Sequence, residues 1–584
     1  MIQYLHVGLL LARTCLLAIS LGGYLLYLRK KIPVELAVGF LFAGIGSAMF
    51  IAGILHILKE TAWLIFAMGL YLAFLHVKKW NTEECVRHVR ENGNGVFALI
   101  FMVAAGIFFG VLLYENKFTH YDNFSHWGVA AKIISRKDMF PNGSDTNLTF
   151  TSYPLGSASF IYFFTEIMGD ASEWLQMWSQ AILMVGMLVG LFAFVRGVAC
   201  LLAVCVAIVI LLCGNVNFAD LLVDTLLPVT AIGAMSLCIY YKKDLQKQIP
   251  FLIPYVIFLT AIKNSGVLFA ALILGFVLFS IPRTQENLKT WLIVAASPVV
   301  LTFFWNKHVE QIFDGGTLSK HAMRMDNFQQ VVANKTPEDL LEIVRVFVIT
   351  VGQSIQPVVW LFLLGLLLLI FCRFAFKKDC AELCTTLCFT GISYLLYQIG
   401  MLGMYILTMP LAEAIKMAGY NRYHQTILLF VSGLLLIAVF RQIQVSGDGR
   451  YHRIKSIVLA GCLLIGVTAA LQPHFTYYTR KSLSGTDREK YDRLVSDYAL
   501  EDKHNYLILV DEDRENCDYL YWMTQYLLAP RDVEFASAST VDELADKKFD
   551  FVILFDDTES NRTYATTQLG VTEEVGYIGD KSLN

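Results

Sequence analysis

The sequence predicts an all-α polytopic membrane domain followed by a small C-terminal α/β soluble domain. Three observations carry this. Hydrophobic residues make up 56% of the chain and charged residues 16%, whereas a soluble chain is about a quarter charged and under half apolar. Apolar runs long enough to cross about 30 Å of hydrocarbon recur from residue 4 to residue 472. Beyond residue 474 the texture changes to polar and charged, with short apolar runs.

Spans are read at 4–28, 33–57, 61–77 and 96–114, then 174–195, 198–213, 219–241, 250–263, 264–281 and 291–305, and finally 357–375, 381–404, 424–440 and 454–472. That is about 14 transmembrane helices. Basic clusters at Arg29–Lys31, Lys78–Arg90, Arg196, Lys242–Lys247, Arg283–Lys289, Arg373–Lys378 and Arg441–Lys455 all fall on one side of this zigzag. Lys and Arg favour the cytoplasmic side, so both termini are expected outside. The first run lacks a basic start and a cleavage site, and reads as a retained helix. Two further apolar segments, 153–168 and 341–355, would invert the charge pattern as spans and are expected to lie in the interface or re-enter. Three regions result: extra N-terminal helices over 1–95, a membrane domain over 96–473 with a first exterior loop at 115–152, and an exterior domain over 474–584.

In the last region "YLILV" (506–510), "DVEFAS" and "FDFVILF" (549–555) read as strands. "CDYLYWMTQYLLA" and "TVDELADKK" read as helices between them. Alternation of this kind predicts a partly parallel sheet. The first strand is followed by "VDEDREN" rather than a glycine-rich turn, so no nucleotide site is expected.

The net charge of −3 and the lack of a basic aromatic stripe argue against nucleic-acid binding. The twelve cysteines form no framework. Cys380, Cys384 and Cys388 share one helix face and read as small packing residues. Only Cys517 falls in the tail, which excludes an internal disulfide there.

The candidate chemistry lies at the outer rim. The first exterior loop reads "YENKFTHYDNFSHWGVAAKIISRKDMF". Phe124, Trp127, Val129, Ile133 and Ile134 suggest a helix lying on the membrane surface, with Lys132, Arg136 and Lys137 on its wet side. Asp122 stands immediately before it, either as a catalytic acid or as a helix cap. "NFADLLVDTLLP" (217–228) is expected to put Asp220 and Asp224 one helical turn apart. Asp224 lies in an apolar run, where an unpaired charge is costly; Asp220, closer to the rim, reads as a solvated or capping residue. "LTAIKNSGVLFA" places Lys263 at a helix end, and "GYNRYHQTILLF" places Arg422 and His424 at the start of a span. In the 306–340 stretch His308, Asp314, His321 and Arg324 match no metal-ligand spacing. The triplets "NGS", "NLT" and "NRT" are glycan acceptors only if the exterior is a secretory lumen.

An acid in the first exterior loop (Asp122 in "YDNFSHW"), then an interfacial helix, then Tyr153-Pro154 opening the next apolar segment, resembles the GT-C superfamily of polytopic glycosyltransferases. Protein O-mannosyltransferases and aminoarabinose transferases are relatives in that superfamily. The resemblance implies transfer of a sugar from a polyprenyl-phosphate donor to an envelope glycan, glycopolymer or glycolipid acceptor at the outer membrane face. It implies Asp122 as base, with Lys263 and Arg422 on the donor phosphate. His126, Tyr153 and Asp224 would shape the substrate site, and His424 is a further candidate for stabilising the departing phosphate. Asn123 stands where relatives often carry a second acid. No cofactor is implied, and a divalent metal stays open. The chemistry is self-consistent: one carboxylate takes the acceptor proton, and cations stabilise the departing phosphate. The rival readings are a transporter or flippase of lipid-linked glycans, a polymerase or ligase of them, and a non-enzymatic envelope assembly protein.

Overall fold

A computed structural model describes residues 2–78, 93–145, 147–195, 199–214, 218–313, 325–376, 380–445, 450–472, 482–501, 504–528, 533–544 and 546–579. Arg196, Asp314, His321, Arg324 and most of the 78–90 basic cluster lie outside these residues. The chain divides into two compact units. The first comprises residues 1–115, 133–140 and 150–479; the second comprises 116–132, 141–149 and 480–584.

The first unit is helical. Among the described residues, ten helices are long and apolar enough to cross a membrane, and three further apolar helices, Ala203–Leu212, Leu226–Tyr240 and Gly266–Ser280, are shorter. Large apolar side chains such as Leu11, Val111, Ile293, Val299, Phe374 and Leu395 are exposed around it, as a lipid-facing surface requires. Helices approach closely where small residues allow it. A Cβ on Gly69 would meet Ser20 Oγ at 2.1 Å. Ser20 Oγ in turn donates to the Phe66 carbonyl, 2.8 Å, which ties helix Ile2–Leu28 to helix Leu58–Lys78. Helix Val34–Ile54 is largely buried, and its Ser47 hydroxyl donates to the Pro254 carbonyl, 2.8 Å.

Several expectations are corrected. Segment 153–168 forms helix Gly156–Met168, in which every residue but Glu166 is buried, so it does not lie on the membrane surface. Its Gly156 sits so near the Ala261 carbonyl that a Cβ would meet it at 2.6 Å. Segment 341–355 is part of helix Pro337–Ser354, opened by a Thr336–Asp339 capping box, with only Ile343 and Phe347 buried. That one-sided burial suits the interface. Cys384 and Cys388 are exposed and only Cys380 is buried, because this helix face turns away from its neighbours.

The second unit holds a four-stranded sheet of order β2-β1-β3-β4, made of β1 (Tyr506–Leu509), β2 (Val533–Ala536), β3 (Phe551–Leu554) and β4 (Val575–Tyr577). β1 is parallel to both β2 and β3, and β4 is antiparallel to β3. All of β1 is buried, as a central parallel strand covered on both faces should be. Leu507, Leu509, Val552, Leu554 and Leu569 fill one face. Helices Asp487–Asp497 and Asp518–Leu528 belong to the same unit, with Tyr491 stacked on Phe555 at 4.5 Å. Among the described residues of "TVDELADKK" the only helical element is the short 3₁₀ turn Val541–Leu544. Helices Asp487–Asp497 and Glu559–Thr567 and strand β4 were not foreseen.

Candidate functional site

In the first unit, two of the expected residues, Lys263 and Arg422, converge on a third, Asp224. It does not sit on a helix. Residues 218–225 are irregular and buried, and the helix begins at Leu226. Asp220 and Asp224 are therefore not one helical turn apart, and Asp220 is 5% exposed rather than solvated at a rim. Irregular backbone buried in protein needs its polar groups satisfied. Gln180 Nε2 donates to the carbonyls of Asp220, 3.4 Å, and Leu222, 3.2 Å. The Thr426 hydroxyl donates to the Asp224 carbonyl, 3.2 Å.

Lys263 follows helix Ile253–Ile262 in an extended conformation, and the next helix begins at Gly266. The break is tight: a Cβ on Gly266 would meet the Leu259 carbonyl at 1.8 Å. This turn directs the Lys263 ammonium to Asp224 Oδ1, 3.2 Å away, with both side chains buried. Arg422, in the first turn of helix Tyr420–Val445, reaches Asp224 Oδ2 at 3.5 Å. Aromatic rings surround the cations. Lys263 Nζ is 5.8 Å from the Tyr153 ring centroid and 5.2 Å from that of Tyr423. The Arg422 guanidinium is 5.6 Å from the Tyr423 ring. Two cations thus face one carboxylate, and paired cations of this kind stabilise a developing negative charge.

His424 is buried beside this group but engages other partners. Its Nε2 is hydrogen-bonded to the Tyr394 hydroxyl, 3.2 Å, and its ring stacks on Tyr420 at 5.5 Å. Tyr153 and Tyr423 thus face the cations, while Tyr394 and Tyr420 hold His424. Sequence reasoning singled out only Tyr153, because tyrosines scattered over apolar segments carry no spacing signal. His308 is buried and stacked on Trp305 at 5.5 Å, a packing role. Among the described residues no three His, Cys, Asp or Glu side chains group as metal ligands.

Asp122 and His126 belong to the second unit. Asp122 lies in the first turn of the short helix Tyr121–Ser125, whose cap is His120: its Nδ1 accepts the Asp122 N–H, 3.1 Å. The carboxylate is therefore not spent on capping. Burial, with the carboxylates of Asp518 and Asp122 nearby, pushes the Tyr121 hydroxyl above its usual value. His126 is fully buried at the break between this helix and helix Trp127–Lys137, edge-on to the Trp127 ring at 4.6 Å. Asn123 is also fully buried, so it does not accompany Asp122 at an accessible surface.

The expected membrane-surface helix is corrected as well. Phe124, Trp127, Val129, Ala130 and Ile134 are all buried in protein. Lys132 is not on a wet face: it donates to the Tyr526 carbonyl and lies 4.4 Å from that ring's centroid. The tail holds this loop through several contacts. Arg488, 1% exposed, donates to the Phe118 carbonyl at 3.3 Å and pairs with Asp492 at 3.0 Å. The Tyr519 hydroxyl donates to the Thr119 carbonyl, 3.2 Å. Phe124 meets the rings of Tyr519 at 5.8 Å and Tyr526 at 5.5 Å. Asn561 of the "NRT" triplet is 1% exposed and donates to the Val510 and Asp556 carbonyls, so the folded chain does not present it for glycosylation.

Comparison with protein-family models finds no match, and comparison with curated proteins finds none.

Proposed function

We propose that this chain is a multi-pass membrane glycosyltransferase. In this reading it moves a sugar from a polyprenyl-phosphate-linked donor to an envelope glycan, glycopolymer or glycolipid at the outer face. The observation that supports it best is the buried cluster of Lys263 and Arg422 around Asp224, rimmed by Tyr153 and Tyr423. A point charge and a planar fork together suit a phosphate ester, and a buried site strengthens their hold. In the absence of donor, Asp224 keeps the cations paired; the donor phosphate joins or displaces it. Asp122 serves as the base that takes the acceptor proton. Of the three shorter apolar helices, two border the Asp224 and Lys263 segments; whether they bring the crossings to about 14 belongs to the same proposal.

The test is a transfer assay in membranes with labelled polyprenyl-phosphate sugars, comparing the parent with Asp122→Asn and Lys263→Gln. Loss of transfer at normal protein levels in both supports the reading, and full activity in Asp122→Asn overturns it.

One observation favours a second reading, a transporter of lipid-linked glycans. The Asp224 and Lys263 segments are breaks beside apolar helices, buried and charged, and discontinuous helices of this kind mark transporter substrate sites. Translocation of a labelled lipid-linked glycan without chemical transfer distinguishes it.

A further inference from the structure

A second feature of the first unit is unrelated to the Asp224 cluster. A laterally open cleft of about 1300 Å³ runs between helix Ile2–Leu28 and helix Gly93–Leu113. Its floor includes Phe42 and Trp178. Trp178 Nε1 donates to the Gly106 carbonyl, 2.8 Å, which fixes one wall. Helix residues from Val7 to Leu26 line the other wall, a length of roughly 28 Å at 1.5 Å per residue. That matches the hydrocarbon thickness of a bilayer, so extended acyl chains fit along it.

One end of the cleft is charged with both signs. Arg29, Lys30 and Lys31, which follow helix Ile2–Leu28, and Glu35, in the first turn of helix Val34–Ile54, all line it. Glu35 is 8% exposed. Its carboxylate carbon lies near the start of the facing helix, 3.9 Å from where a Gly95 Cβ would stand. Among the described residues neither Glu35 nor the three cations form an ion pair with a side chain, and Lys31 Nζ lies 5.9 Å from the Tyr27 ring centroid. A buried acid at a membrane helix end is costly unless a partner arrives, and basic groups between membrane helices recognise lipid headgroups. Three cations alone would select any phosphate. The added carboxylate selects a headgroup that also carries an ammonium with N–H donors.

We propose that this cleft binds an aminophospholipid. The acyl chains lie along the walls, the phosphate meets Arg29, Lys30 and Lys31, and the primary ammonium donates to Glu35.

The test uses the full-length protein in nanodiscs made from equal parts phosphatidylethanolamine, phosphatidylcholine and phosphatidylglycerol, with co-purifying lipid quantified after detergent extraction. The parent should retain phosphatidylethanolamine about tenfold over phosphatidylcholine, the size expected of one charge-assisted hydrogen bond. Glu35→Gln should erase that preference while phosphate-dependent retention persists. Lys30→Gln with Lys31→Gln should lower retention of all three. Equal retention of the three lipids by the parent means bulk lipid only and overturns the proposal. So does a preference for phosphatidylglycerol, or a phosphatidylethanolamine preference that survives Glu35→Gln. Should a variant fail to fold, the three-lipid comparison on the parent decides alone.

Discussion

The Lys263 ammonium stands 3.2 Å from the Asp224 carboxylate, and neither side chain is more than 8% exposed. The two residues lie 39 positions apart, each in a break at the end of an apolar helix. Removing one member of a buried pair costs about 3–5 kcal/mol when the other is left uncompensated; loss of Asp224 strips both Lys263 and Arg422, whereas loss of Lys263 leaves Asp224 with Arg422. Asp224→Asn and Lys263→Met should each lower the thermal midpoint of the detergent-solubilised protein. The double variant should be more stable than the two losses added together, because neither member of the Lys263–Asp224 pair is left facing a missing partner. Strict additivity in differential scanning fluorimetry would show that the pair is not coupled.

Asp122→Asn should keep the cap of the short helix, which His120 rather than Asp122 supplies. If Asp122 is the base, turnover should fall by about 10²- to 10⁴-fold with donor binding retained. Donor binding is read from protection of the solubilised protein against heat by an unreactive polyprenyl phosphate. A fall in expression matching the fall in activity would count against this role.

Arg488 should be the most sensitive position of the tail. It is 1% exposed, and its partners are the Phe118 carbonyl and Asp492. Arg488→Ala strips those partners and opens space between Phe124 and Tyr526, whose rings lie 5.8 and 6.0 Å from the guanidinium. Hydrogen exchange and protease cleavage over 116–132 should rise in this variant. Arg488→Lys keeps the charge but not the planar fork and should fall between. Unaltered exchange in that loop would remove Arg488 from this role.

Acidification should loosen the second unit. Hydrogen bonds from Arg493, reinforced by its charge, hold the Glu574 carboxyl below its usual range. Burial pushes Glu515 up, but hydrogen bonds from Ser537 and Thr540 outweigh it and leave that carboxyl lowered too. A carboxyl depressed in the folded state contributes stability that is present above its unfolded value and is lost as pH falls through the folded one. Loss should therefore begin near the ordinary glutamate value of about 4.3 and continue below it. Glu574→Gln should flatten the profile. Tail fluorescence followed from pH 7 downward checks this, and a loss centred above pH 6 would point to other groups.

Much of this was legible in the residues. The long apolar runs predicted the helices, and the runs at 506–510 and 549–555 predicted the inner strands. Lys263 and Arg422 were visible because a charge at the end of an apolar run has few bland explanations. Asp220 and Asp224 were misplaced because "ADLLVDTLLP" has helical hydropathy throughout. Its irregular path depends on Gln180, 40 positions earlier. The surface helix was misjudged for a related reason: an apolar stripe looks the same whether lipid or protein covers it. The link between the first loop and the tail was invisible, because Arg488 and Phe118 are 370 positions apart and Tyr519 and Thr119 are 400.

That link constrains the path of the chain. Residues 116–132 and 480–584 build one folded body, and a folded body cannot straddle a bilayer. Whatever the exact number of crossings between position 133 and position 479, it must be even. Adding or deleting a single crossing there would strand the tail across the membrane from Phe118 and Thr119, leaving Arg488 and Tyr519 without their acceptors.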